Sequence, residues 1–197
     1  MIETILARAS LYNFLAAIFG DPPTLEMLAS VREMLPEVEP APLVELHKAY
    51  TRLLVGPGAG YAPPYASVYL DLPSKGKPLL WGREAALVES QYQAAGLDIA
   101  PGQNRIPDHL AFELQFMQHL CSRQAEALGR GQPDEADEWD NRQRTFLNDH
   151  VWPWLPRFAE RVTEAEAHPF YRALVELTVS FIDSEIMLPE GVESFGR

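Results

Sequence analysis

Along most of the chain apolar residues recur at helical spacing, and the interruptions fall at glycine and proline, the pattern of helices packed into a bundle. About seven helices follow from this rhythm. The first runs from about Ile2 to Phe19 and stops at Gly20-Asp21-Pro22-Pro23, with Thr24 placed to cap the second, which ends near Pro36. Leu43, Leu46, Tyr50 and Leu53 share one face of a third helix that Gly56-Pro57-Gly58 terminates. Ala85, Val88 and Tyr92 mark a fourth, closed by Gly96. The fifth, the longest, carries the stripe Leu110, Leu114, Met117 and Cys121. The sixth begins after Pro133 with Trp139, Phe146 and His150, and Pro153 kinks or divides it before Leu155, Phe158 and Val162. The last opens at His168-Pro169 and aligns Phe170, Leu174, Leu177 and Phe181.

No strand pairing, βαβ alternation or solenoid repeat interrupts this pattern, so the expected fold is all-α: a single-domain helical bundle over residues 1–188 with a loose polar tail, 189–197. Two proline-rich stretches break the periodicity, Gly56 to Gly82 and Ala100 to Pro107. The first contains Pro63-Pro64-Tyr65-Ala66-Ser67-Val68-Tyr69-Leu70-Asp71, too aromatic for simple disorder. It is expected to pack back on the bundle as a long loop with its aromatic and hydroxyl groups partly exposed. The second is a candidate hinge, compatible with a monomer or a domain-swapped homodimer.

The fifth helix opens in an unusual way, at Ile106-Pro107-Asp108-His109. Either Pro107 takes the first helical position, leaving Asp108 and His109 in the first turn, or Asp108 is the N-cap and its carboxylate accepts a free backbone N–H. Both registers set His109 and Glu113 on one helix face. The same turn can carry both a capping role and a recognition role.

Composition narrows the function. A formal charge of -12 across 197 residues excludes nucleic acid and anionic membrane surfaces as natural partners and favours basic segments. The acidic group Asp134, Glu135, Asp137, Glu138 and Asp140 reads as a solvated helix start. One cysteine, Cys121, cannot form an intrachain disulfide. The first helix carries Glu3, Arg8 and Asn13, which argues against an export signal, and no stretch is expected to insert stably in a membrane, so a soluble, cytoplasmic protein is expected.

No cofactor is expected. None of His47, His109, His119, His150 and His168 follows a glutamate by three positions, the di-metal bundle pattern, and no His-Glu-x-x-His run or cysteine pair is present. Gly76-Lys77 lacks the remainder of a phosphate-binding loop. Cys121 and His119, two apart on a helix, do not face each other as nucleophile and base. A binding protein without catalysis is the reading that survives; its rival is a helical nucleotide- or metal-dependent enzyme using His109.

Five stretches in order, Leu53-Leu54-Val55-Gly56-Pro57-Gly58, Pro63-Pro64-Tyr65-Ala66-Ser67-Val68-Tyr69, Tyr92 with Gly96-Leu97, Pro107-Asp108-His109, and Glu113-Leu114, resemble the TorD/DmsD/NarJ family of redox-enzyme maturation chaperones. Phe146, His150, Trp154 and Phe158 resemble its later positions, and the likeness extends from Ala49 to Phe181. The resemblance implies an all-helical, non-enzymatic chaperone that binds a molybdoenzyme catalytic subunit, or its N-terminal twin-arginine leader, in the cytoplasm before cofactor insertion and export. It nominates Tyr65, Ser67, Tyr69 and Asp71 from the loop and Pro107, Asp108, His109 and Glu113 from the helix start. Where some relatives carry tryptophan in the loop, this chain has Tyr65 and Tyr69.

A leader with paired arginines and an apolar stretch needs carboxylates for its guanidinium groups and an aromatic groove for the rest. Asp108 and Glu113 are expected to supply the first, and Tyr65, Tyr69 and Trp81 the second.

Overall fold

A computed structural model describes residues 1–39, 41–71, 80–97 and 106–187. Among them are nine α-helices and two π-helical turns, and no strand beyond an isolated antiparallel bridge between Tyr65 and His109. The helices are α1 (Ile2–Gly20), α2 (Leu25–Met34), α3 (Leu43–Tyr50), α4 (Ala66–Leu70), α5 (Arg83–Ala94), α6 (Leu110–Gly129), α7 (Pro133–Phe146), α8 (Leu155–Glu164) and α9 (Pro169–Met187).

The all-helical expectation holds, with two additions. The aromatic stretch contains the short helix α4, and the expected sixth helix divides into α7 and α8. Pro153 explains the division: Leu147–Val151 widens into a π turn just before it, and α8 restarts at Leu155. The loose tail, residues 100–105 of the second proline-rich stretch and residues 72–79 of the first lie outside the described residues.

Local sequence explains several of the boundaries. Thr24 accepts a hydrogen bond from the Met27 backbone N–H at 3.2 Å, the cap expected for α2. Gly96, at φ +78°, supplies the left-handed residue that lets the Leu97 N–H return to the Tyr92 carbonyl at 2.9 Å and close α5. His168 Nδ1 accepts from the Phe170 N–H and starts α9.

The core centres on α1 against α6, with α7 also packed on α6 and α8 against α9. Tyr12, Leu15, Ile18 and Phe19 of α1 and Leu110, Leu114, Met117, Leu120 and Cys121 of α6 are fully buried, as are Trp154, Phe158 and Leu174. By length and composition alone α1 is long and apolar enough to cross a membrane, a test that a buried core helix also passes. In the fold that apolarity has a packing explanation, since one side of α1 supplies much of the core. At the end of α1, Gly20 faces α6 where a Cβ would stand 3.4 Å from the Ala111 Cβ, which brings the two helices close beside the start of α6.

Candidate partner-binding site

The residues nominated from the sequence converge on the start of α6, through backbone as much as side chains. The Ala66 N–H donates to the Asp108 carbonyl at 3.0 Å, and the Leu110 N–H donates to the Pro64 carbonyl at 2.9 Å. The Ser67 N–H donates to Asp108 Oδ2 at 2.6 Å. These bonds strap the segment ahead of α4 across the segment ahead of α6. Tyr92 adds a fourth tie from α5, its hydroxyl donating to the Pro107 carbonyl at 2.9 Å.

Neither expected capping register is formed. The N-cap of α6 is His109, whose Nδ1 accepts from the Ala111 N–H at 3.1 Å, while Pro107 and Asp108 precede the helix. Asp108 is turned inward to serve Ser67 instead of the free N–H groups of α6. Its carboxyl is fully buried and is pushed up from the ordinary aspartate range, chiefly by burial, with the Ser67 bond opposing and the Glu84 charge assisting.

Glu113 is fully buried too and does not share an open face with His109. Its Oε2 accepts from the Trp154 indole N–H at 3.2 Å, and Oε1 has no hydrogen-bond partner. Burial first, then the nearby Asp108 and Glu84 charges, hold this carboxyl well above the ordinary glutamate range. Both carboxyls expected to meet a leader's arginines are therefore covered by the fold.

His109 is half-buried, with its pKa lowered to about 4 by desolvation, so its ring is neutral at pH 7. Because Nδ1 accepts from Ala111, the proton of the neutral ring sits on Nε2. Tyr65 packs edge-on against the ring at 4.8 Å between centroids.

Asp71 and Ser67 also act inside the fold. Asp71 Oδ2 accepts from the Glu84 N–H at 3.1 Å, supplying the side-chain cap that Gly82 cannot give α5. Ser67, expected to be partly exposed, is fully buried because its backbone N–H is held against Asp108. Glu84 itself pairs with His150 Nδ1 at 2.9 Å, a buried contact between α5 and the π turn of Leu147–Val151 that sequence spacing could not show across 66 positions.

The aromatic residues divide between two depressions. Tyr69 stacks on Trp154 at 5.5 Å and 22° and lines an apolar depression of about 470 Å³ with Tyr61, Pro63, Val68, Leu80 and Arg161. Trp81, next to Leu80 in the chain, is 57% exposed and holds φ +65°, a left-handed conformation that a bulky side chain rarely adopts. Tyr65 instead faces a second, more polar depression of about 320 Å³ with His109, Ile106, Asp21, Asn13 and Gln115. The single groove expected for Tyr65, Tyr69 and Trp81 is thus two recesses sharing the Pro63-to-Tyr69 segment. Among the described residues no three His, Cys, Asp or Glu side chains are grouped to hold a metal ion.

Comparison with known proteins identifies the family. The family model of the nitrate reductase delta subunit matches residues 20–160, a span that includes the Pro63-to-Tyr69 segment and the start of α6. The chain belongs to this family, the TorD/DmsD/NarJ family of redox-enzyme maturation chaperones. The TorD chaperone of Vibrio cholerae is 32% identical over 145 residues, covering 72% of this chain and 61% of the relative. TorD of Shewanella pealeana is 32% identical over 146 residues, 73% of this chain and 60% of the relative. The Tat proofreading chaperone DmsD of Salmonella typhi is 28% identical over 155 residues, 77% and 67% of the two chains. The match thus spans about 61% of the length of the first TorD relative. A crystal structure from Archaeoglobus fulgidus, that of a proposed redox enzyme maturation protein, superposes with a TM-score of 0.58 at 18% identity, over 89% of this chain and 93% of the other, and shows the shared fold.

Proposed function

We propose that this protein is a cytoplasmic maturation chaperone, not an enzyme, which binds a molybdoenzyme catalytic subunit, or that subunit's basic N-terminal leader, before cofactor insertion. The observation that carries the reading is the family match over residues 20–160, which takes in the exposed Leu80 and Trp81 beside an apolar recess. Exposed apolar side chains beside a recess are a feature of surfaces that bind a partner. Tyr61, Val68, Tyr69 and Leu80 receive the apolar stretch of the leader, and Trp81 covers its edge. The net charge of -12 draws the basic part toward the protein. Asp108 and Glu113 serve the site from within, by fixing the strap and by positioning Trp154 under Tyr69.

Affinity capture tests this. The tagged protein is recovered from cells respiring anaerobically, and a molybdoenzyme catalytic subunit lacking its cofactor is expected to come with it. Substituting Trp81→Ala together with Leu80→Ser is expected to reduce that recovery without changing the thermal melt. Capture of no catalytic subunit, or undiminished capture by the double variant, contradicts the reading.

A further inference from the structure

The burial of Asp108 and Glu113 leaves a basic leader without the counter-ions its sequence promised. The polar depression beside His109 supplies another. It lies where the C-terminal end of α1 meets the start of α6, and Asn13, Asp21, Tyr65, His109 and Gln115 line it, with no lysine or arginine among its described lining residues. Asp21 is exposed and makes no side-chain hydrogen bond or ion pair among the described residues. The last turn of α1 carries no basic residue, so the partial negative charge of the 19-residue helix's C-terminal end adds to the Asp21 carboxylate. The exposed Asn13 and Gln115 amides present further acceptor oxygens, and His109 offers its Nε2–H as a donor. At about 320 Å³ the recess is at the lower end of the range for small-ligand pockets, roomy enough for one extended side chain.

We propose that this recess seats an arginine side chain of the client's leader, with Asp21 as its counter-ion in place of Asp108 and Glu113. The assignment rests on the leader-binding reading above and adds a residue that the family resemblance did not nominate. The guanidinium fork lies against the Asp21 carboxylate, which is open on its solvent side and accepts both N–H groups. The His109 Nε2–H donates to a main-chain carbonyl of the same extended segment. The shared Pro63-to-Tyr69 segment then separates the cationic part of the leader, on the Tyr65 side, from its apolar part, on the Tyr69 side.

Calorimetry with a synthetic peptide, paired arginines followed by an apolar run, tests the assignment against a twin peptide carrying citrulline, the neutral isostere, at both arginines. Asp21→Asn is expected to weaken the arginine peptide about tenfold and to leave the citrulline peptide, already weakened on the wild type, unchanged. Asp21→Glu, which keeps the charge, is expected to restore most of the affinity. Equal binding of the arginine peptide by wild type and Asp21→Asn places the cation elsewhere while leaving leader binding intact. An equal loss for both peptides assigns Asp21 a purely structural role and overturns the site. Failure of the wild type to bind either peptide overturns the site together with the leader reading beneath it.

Discussion

Glu113 sits in the first turn of α6 with one carboxyl oxygen bonded to Trp154 and the other unpartnered, both inside the core. A carboxyl in that position is better accommodated neutral, and its folded pKa is accordingly raised by burial and by the Asp108 and Glu84 charges. The folded state therefore binds a proton that the unfolded state releases, so this group's contribution is fully present below the ordinary glutamate pKa and is lost as pH rises toward the folded value. His109 works in the opposite sense. Its pKa of about 4 is depressed, so its contribution is present above about 6.5 and is lost as pH falls toward 4. Glu113→Gln removes the first dependence and leaves the second. Denaturant titrations across pH 5 to 8 are expected to show Glu113→Gln gaining on the wild type by on the order of 1 kcal/mol per pH unit until the folded pKa is passed. A difference constant over that range would mean that Glu113 is ionised in the fold.

Two elements, the segment leading into α4 and the segment leading into α6, are tied by three hydrogen bonds that involve Asp108 or its neighbours. Asp108→Ala deletes the acceptor for the buried Ser67 N–H and is expected to cost about 2–3 kcal/mol. Asp108→Asn keeps an acceptor oxygen and sheds the burial cost of a charge, so a change within about 1 kcal/mol is expected. Amide exchange at Ser67 reports the strap directly: faster in Asp108→Ala and near wild type in Asp108→Asn. These ties also show what was legible in the sequence. The helices declared themselves because apolar periodicity and breakers such as Thr24, Gly96 and Pro153 act over a few residues. α4 was hidden because its five residues are too short to display a period and are held by contacts to a segment 41 positions away. The capping role of His109 was obscured because Asp108 is the stronger capper by type, and only tertiary contact turns its carboxylate toward Ser67. The nominated residues did converge, but which of them face solvent depended on the strap. Asp21 read only as part of a helix stop, since its charge gains meaning from the closeness of α1 to the start of α6.

Across the whole molecule, charge acts at two distances. Inside, Arg8 of α1 pairs with the nearly buried Glu185 of α9 and donates to Gln143 of α7 at 3.0 Å, closing the first helix on the last. Glu185→Ala leaves the Arg8 cation without its partner and is expected to lower stability by about 3 kcal/mol, measured by denaturant titration, whereas Arg8→Met with Glu185→Leu is expected to recover most of that loss. Outside, the charge of -12 acts on a ligand before contact. Exposed charges are screened beyond about 10 Å at 0.1 M salt, so the long-range attraction for a basic leader peptide fades with salt while contacts made inside the recesses largely persist. Stopped-flow measurements between about 0.02 and 0.5 M salt are expected to show association slowing by roughly tenfold with dissociation nearly constant. Asp21→Asn is expected to give the complementary result at fixed salt, a faster dissociation with a small change in association, because it removes one contact and only one charge from the field. If salt acts mainly on dissociation, the paired contact and not the molecular field brings the peptide in. If Asp21→Asn changes association alone, Asp21 belongs to the field and makes no contact in the bound complex.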